Sequence, residues 1–155
     1  CNGEIADGTV TQDLLARSRL HPVCAPGLLP PGRSFAAREI AEFVLLHDEE
    51  DGSSWRRWFD LAGVTGVDTS RGPRFLESGL AIEAAIAGQG VALADDFLVA
   101  DDIAAGRLVQ LSDIGLDAAD CYYWLRSRED ARRRKPVAAF RDWLLRESSA
   151  LRQPE

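Results

Sequence analysis

The apolar residues of this chain change period several times, and each change marks an element. In "WRRWFDLAG", Trp55, Trp58, Phe59 and Ala62 fall at i, i+3, i+4 and i+7, one face of a helix. Ser53 or Ser54 stands ready to cap its start, and Gly63 to end it. "FAAREIAEF" (35–43) has the same helical spacing, and "VLLHD" (44–48) follows it as an apolar strand. Upstream, "LHPVCAP" (20–26) reads as a short strand ended by proline. Residues 1–18 are polar and carry glycine, which predicts a loop with a turn near Asp13.

The second half repeats the alternation. "RFLE" (74–77) is a candidate strand, and Ser78 is placed as the N-cap of a helix over 79–87. Gly88 and Gly90 stop that helix, and "VALAD" (91–95) reads as a buried strand. "FLVADDIAAG" is a helix stopped by Gly106, and "RLVQL" (107–111) is another strand. "CYYWLRS" (121–127) is aromatic and strand-like. Pro136 suits the first turn of a final helix with a stripe of Val137, Phe140 and Leu144, and Trp143 beside it. Alternating helices and strands with short connections predict α/β layers and a largely parallel sheet. There is no internal repeat and no low-complexity segment.

Composition narrows the functions open to such a scaffold. Nearly half of the 155 residues are apolar and four are Trp, enough for a packed core and against disorder. The length suits one ordinary domain or two small lobes. The net charge is −7, which disfavours tight nucleic-acid binding by this chain itself and favours small molecules and protein surfaces as partners. Cys1, Cys24 and Cys121 are odd in number and form no Cys-x-x-Cys. That argues against a disulfide scaffold or zinc ribbon and fits a reducing cytoplasm. No apolar run approaches the roughly 20 residues of a membrane span. "CNGEIADGTVTQDLL" has neither the basic nor the apolar region of a signal peptide. It does not begin with Met, so the chain reads as a piece of a longer protein.

The Gly-x-Gly of "ESGLAIEAAIAGQGVALADD" follows a helix and precedes a strand, the reverse of a dinucleotide-binding turn, and the Walker lysine is missing. It predicts a helix stop. Ser78-Gly79, at the other end, opens a helix after a strand, where a hydroxyl and free N–H groups can hold a small anion or simply cap the helix. No Gly-x-Ser-x-Gly elbow is present. His21 and Cys24 are three apart in a strand, so they point to opposite faces and make a poor nucleophile pair. His47 with Asp48, Glu49, Glu50 and Asp51 lacks the spacing of a calcium loop and reads as a solvated acidic loop. "RSREDARRRK" (126–135) reads as a solvated connection into a helix, and the Trp55/Trp58 pair as core. No catalytic constellation, metal site or cofactor site emerges, so an enzyme is not expected.

In order and spacing, "LHPVCAPGLL", "VLLHDEEDGSSWRRWFDLAG", "RFLESGLAIEAAIAGQGVALADDFLVADDIAAGRLVQL", "CYYWLRS" and "VAAFRDWLLRES" resemble the effector-binding domain of LysR-type transcriptional regulators. The likeness covers residues 14–147 and is to the branch holding glycine-cleavage and β-lactamase activators. It implies an α/β fold like the type 2 periplasmic binding proteins, with two subdomains, two crossover strands and a small effector between them. On that reading residues 1–24 are a remnant of the first subdomain and a crossover strand. Residues 25–120 are a mostly complete second subdomain. Residues 121–155 are the returning crossover and a C-terminal helix that packs on an incomplete first subdomain.

The resemblance also implies site residues and partners. Ser78 and Gly79 match a helix start facing the cleft, Tyr123 an aromatic on the returning strand, and Cys24 and Ala25 the crossover that walls the cleft. His47 and Asp48 end a strand near the same opening. The implied function is sensing of an anionic or amino-acid-like effector by a cytoplasmic regulator that forms a homodimer or homotetramer. DNA would be bound only through an N-terminal helix-turn-helix absent from this chain, and no membrane is involved. The alternatives are a solute-binding protein of the same fold serving transport, and an enzyme on that fold.

Overall fold

The structure, a computed structural model, describes residues 10–30, 35–117 and 122–149. Their contacts divide them into two units: residues 19–117, and residues 10–18 together with 122–149.

The larger unit is built on two strands that are buried along nearly their whole length and apolar except for His21 and Asp95. β2 (Leu20–Cys24) and β4 (Val91–Asp95) lie beside each other in the middle of a four-stranded sheet, flanked by β3 (Leu45–Leu46) and β5 (Val109–Gln110). A strand inside a sheet covered on both faces has no wet side, hence the continuous burial. The twofold period still operates, because it deals successive residues to two different cores. Val23, Leu46, Ala92 and Ala94 enter one, with Ala81, Ala84, Ala85 and Val99. Cys24, Leu45, Val91 and Leu93 enter the other, with Ile40, Trp55, Trp58 and Phe59. The first is covered by α3 (Ser78–Ile86) and α4 (Asp96–Ala104), the second by α1 (Ala37–Ile40) and α2 (Ser53–Leu61).

The sheet is mixed, against the expectation of a largely parallel one. β3 pairs parallel with β4, but β2 is antiparallel to both β4 and β5. The helical crossovers do keep β3, β4 and β5 running the same way. β2 is reversed because it precedes the first crossover and comes in from the other unit, so the βαβ rule does not bind it.

Several boundaries move. The helix expected over 35–43 is a single turn, and the strands expected at 44–48 and 107–111 pair over two residues each. "RFLE" is not a strand: Arg74 makes one isolated parallel bridge to His47. The start of α2 is capped from further back than expected. Gly52 holds the cap position, and the Glu49 carboxylate collects the Ser53 hydroxyl (2.8 Å), the Ser54 hydroxyl (3.0 Å) and the Ser54 N–H. That acidic loop is therefore a structural cap rather than only a solvated face. Gly63, Gly88 and Gly106 lie just past helix ends at φ 71°, 73° and 70°, as a helix stop requires.

In the smaller unit, β1 (Val10–Arg17) pairs antiparallel with β6 (Tyr122–Arg128), with a register shift between Leu14 and Ala16. The loop expected up to residue 18 is thus a strand from residue 10. α5 (Glu129–Arg132) and α6 (Lys135–Ser149) follow β6. The basic run is more than a solvated connection: it finishes β6, forms α5, and sends Arg132 to Asp13 at 3.0 Å. On α6, Val137 and Leu144 are half-buried, while Phe140 and Trp143 remain about half exposed, their rings tilted against each other with centroids 5.7 Å apart.

Candidate functional site

Ser78 is the first residue of α3 and not its cap. Glu77, extended at φ −144° and ψ 145°, holds the cap position and makes no side-chain bond there. The Ser78 hydroxyl instead donates to Oδ2 of Asp48 at 2.6 Å. Backbone bonds bring the two together. His47 N–H donates to the Pro73 carbonyl at 3.0 Å, and Phe75 N–H donates to the His47 carbonyl at 2.8 Å. Residues 73–75 therefore run beside the end of β3 and deliver Ser78 to Asp48. The carboxylate sits at the positive end of a nine-residue helix, a favourable place for negative charge. Gly79 is exposed, and a Cβ built on it would meet nothing within 4 Å. The start of α3 is thus an open ledge carrying a hydroxyl, a carboxylate and first-turn N–H groups.

The remaining nominated residues differ in reach. His47 is closed to solvent, and its Nε2 lies 2.8 Å from the Arg71 carbonyl, which fixes Nε2–H as the donor. Its buried Nδ1 has no hydrogen-bond partner. Its ring supports residues 71–75 instead of facing outward. Cys24 ends β2 in the aromatic core, and burial pushes its thiol up to about 11, so it stays protonated and unreactive near neutrality. Ala25 is half-buried, and its N–H donates to the Ala85 carbonyl at 3.1 Å, tying the end of β2 to α3. Tyr123 lies on β6 of the smaller unit, paired with Ala16, with its ring partly exposed. His21 and Cys24 share no contact: the His21 ring turns to Ser112 and Asp96. Glu49 was missed as a structural residue. Its signal was an acid four residues ahead of a Ser-Ser helix start.

Two open grooves of about 550 and 570 Å³ lie on the larger unit, one beside Arg38, Phe43 and Arg71 and one along β5 beside Leu29 and Leu111. Neither is lined by the nominated residues. Among the described residues, no group of three or more His, Cys, Asp or Glu could hold a metal ion, and no helix is long and apolar enough to cross a membrane.

Comparison with known proteins agrees with this architecture. The family model for the LysR substrate binding domain matches residues 2–149. The glycine cleavage system transcriptional activator of Escherichia coli (strain K12) is 35% identical over 132 residues, 84% of this chain and 43% of that protein. The HTH-type transcriptional activator AmpR of Providencia stuartii is 39% identical over 94 residues, 60% of this chain and 31% of that protein. The crystallographic effector domain of AmpR from Pseudomonas aeruginosa superposes with a TM-score of 0.73 at 25% identity, covering 94% of this chain and 68% of that one. The chain spans less than half the length of the regulators it matches. The fold is that of the type 2 periplasmic-binding-like effector domains, and the chain belongs to the LysR substrate-binding domain family.

Proposed function

We propose that this chain senses a small-molecule effector as the regulatory part of a LysR-type DNA-binding transcriptional regulator. The observation that carries the reading is the open start of α3, where Ser78 holds Asp48 beside an unobstructed Gly79. Ser78, Gly79 and Asp48 are the direct contacts. Ala25 shapes the wall, with Cys24 and His47 holding the backbone behind it. Tyr123 of the smaller unit joins the assignment through the family likeness alone. No residue is assigned a catalytic role, and the relatives' names favour regulation over transport.

The chemistry favours an amino-acid-like effector over a purely anionic one. Asp48 already occupies the positive end of α3, so a simple anion must compete with it. A zwitterion does not: its ammonium pairs with Asp48 and its carboxylate takes the N–H groups of the helix start. Effector binding then acts by differential affinity for two states of a homodimer or homotetramer in the cytoplasm, with DNA held by a helix-turn-helix outside this chain.

Calorimetry and thermal-shift screening of the full-length protein against amino acids and small organic acids tests this, together with DNA binding to its own promoter region. At least one amino-acid-like compound is expected to bind and to alter DNA binding. No binding by any member of the panel, with no DNA binding, overturns the reading.

A further inference from the structure

The chain comes into the larger unit at Arg19 and passes through Asp117 near its exit, and these two segments are tied to each other. Leu20 N–H donates to the Leu116 carbonyl at 3.0 Å, and Leu116 N–H to the Leu20 carbonyl at 2.9 Å. Arg19 Nε donates to Asp117 Oδ1 at 3.0 Å, and Arg57 to the Asp117 carbonyl at 2.9 Å. His21 comes next on β2, only 9% exposed. Gly115 lies over its ring so closely that a Cβ there would stand 2.6 Å from Nε2.

Both nitrogens of the His21 ring face oxygen. Nδ1 lies 3.2 Å from the Ser112 carbonyl, and Nε2 lies 3.4 Å from Oδ1 of Asp96, the first residue of α4. A neutral imidazole carries one N–H and can serve only one of these acceptors. The other nitrogen would then turn a lone pair toward an oxygen. A shared proton removes the conflict, as imidazolium against carboxylate or as imidazole against carboxylic acid. Burial pushes the Asp96 carboxyl above its usual range, and Asp95 adds to the push, while His21 and Arg19 act against it. The other charged groups nearby have their own tasks. Asp95 caps α4 through the Phe97 N–H at 2.9 Å, and Arg19 pairs with Asp117. Asp113 lies on the same connecting segment as Ser112.

We propose that His21 and Asp96 form a proton-linked clamp that holds the outgoing connection, residues 111–117, against the incoming strand β2. With the proton present, one ring bridges α4 and the Ser112 carbonyl. Without it, the ring keeps at most one of these bonds and the segment loosens. A clamp that needs the proton is complete under acid and weakens as the pH rises.

Hydrogen exchange of the 155-residue chain across about pH 5 to 8 reads the clamp directly. The amides to follow are Leu111, which bonds the Pro22 carbonyl, and Leu116, which bonds Leu20. After correction for intrinsic rates, their protection is expected to fall with rising pH, by up to about tenfold per unit. His21→Gln, which cannot titrate, should flatten that dependence. Wild-type protection that does not change with pH, or a His21→Gln chain with the same slope, overturns the proposal. Asp96→Asn keeps the ring and gives a second readout should His21→Gln fail to fold. Loss of the carboxylate should flatten the pH dependence of the Leu111 and Leu116 amides just as His21→Gln does. An Asp96→Asn chain with the wild-type slope overturns the proposal as well.

Discussion

Arg141, on the last helix, grips Asp13, on the first strand, with two nitrogens: Nε donates to Oδ2 at 2.7 Å and Nη2 to Oδ1 at 2.5 Å. Arg132 Nη2 adds contacts of 3.0 Å to both oxygens. The hydrogen bond from Arg141 is the main reason the Asp13 carboxyl lies below its usual range, and burial opposes it. A depressed carboxyl contributes stability that is present above the unfolded value, about 3.9, and disappears as the pH falls through the folded one. Asp13→Asn keeps the shape and removes the charge. It is expected to cost about 1–2 kcal/mol at neutral pH in urea denaturation, with the gap closing under acid. An equal cost at about pH 3 and about pH 7 would show that the charge is not what matters.

Trp55 and Trp58 are core residues that also carry hydrogen bonds. Trp55 Nε1–H donates to the Leu46 carbonyl at 3.0 Å, and Trp58 Nε1–H to the Ile114 carbonyl at 2.9 Å. Their rings meet edge to face at 5.9 Å. Trp58→Phe keeps an aromatic ring but strips the Ile114 carbonyl of its donor, for an expected loss of about 1–3 kcal/mol. Trp55→Ala should lose about 3–5 kcal/mol through the cavity it leaves. Guanidinium melts of the two variants check the order. A Trp55→Ala chain as stable as Trp58→Phe would mean the aromatic cluster collapses to fill the hole.

What could be read from the sequence followed from local periodicity. The Trp55, Trp58, Phe59 face and the all-buried "VALAD" strand needed only their own spacing, and both stand where expected. β1 was missed because its partner, β6, lies more than a hundred residues away and Asp13 looks like a turn residue until its two arginines are counted. The reversal of β2 was hidden for a similar reason, since strand direction depends on where the chain comes from. At the site, Ser78 was legible as a polar helix start. Its bond to Asp48 was not, because a contact 30 residues apart is set by the packing of β3 and α3 and not by either motif. The caps at Glu77 and Gly52 shifted by one residue or so, since Ser, Glu and Gly can all precede a helix and only the backbone angle decides among them.

Two glycines in one loop separate backbone strain from crowding. Gly66 (φ 78°) and Gly72 (φ 121°) both adopt conformations that L residues resist. A Cβ on Gly66 would meet nothing within 4 Å, whereas on Gly72 it would lie 2.0 Å from the Leu45 carbonyl oxygen. Gly66→Ala should therefore lose only the conformational cost, about 1–2 kcal/mol. Gly72→Ala must also push the loop off β3 and should lose about 3 kcal/mol or more. Equal losses in denaturant titrations would remove crowding from the account.

The Ser78–Asp48 pair makes the effector reading testable at single atoms. Its hydroxyl and carboxylate are only part-buried, so Ser78→Ala should change stability by no more than about 1 kcal/mol. The same change should weaken binding of an amino-acid-like effector about tenfold, because the carboxylate loses the donor that aims it. Asp48→Asn separates charge from shape, since its amide oxygen can still accept from Ser78. If Asp48 reads an ammonium group, the wild-type chain should bind the free amino acid much better than its N-acetyl derivative, and Asp48→Asn should bind the two alike. Calorimetry with that ligand pair decides the matter. Discrimination that survives Asp48→Asn would place the ammonium elsewhere and leave Asp48 as a partner of the helix start alone.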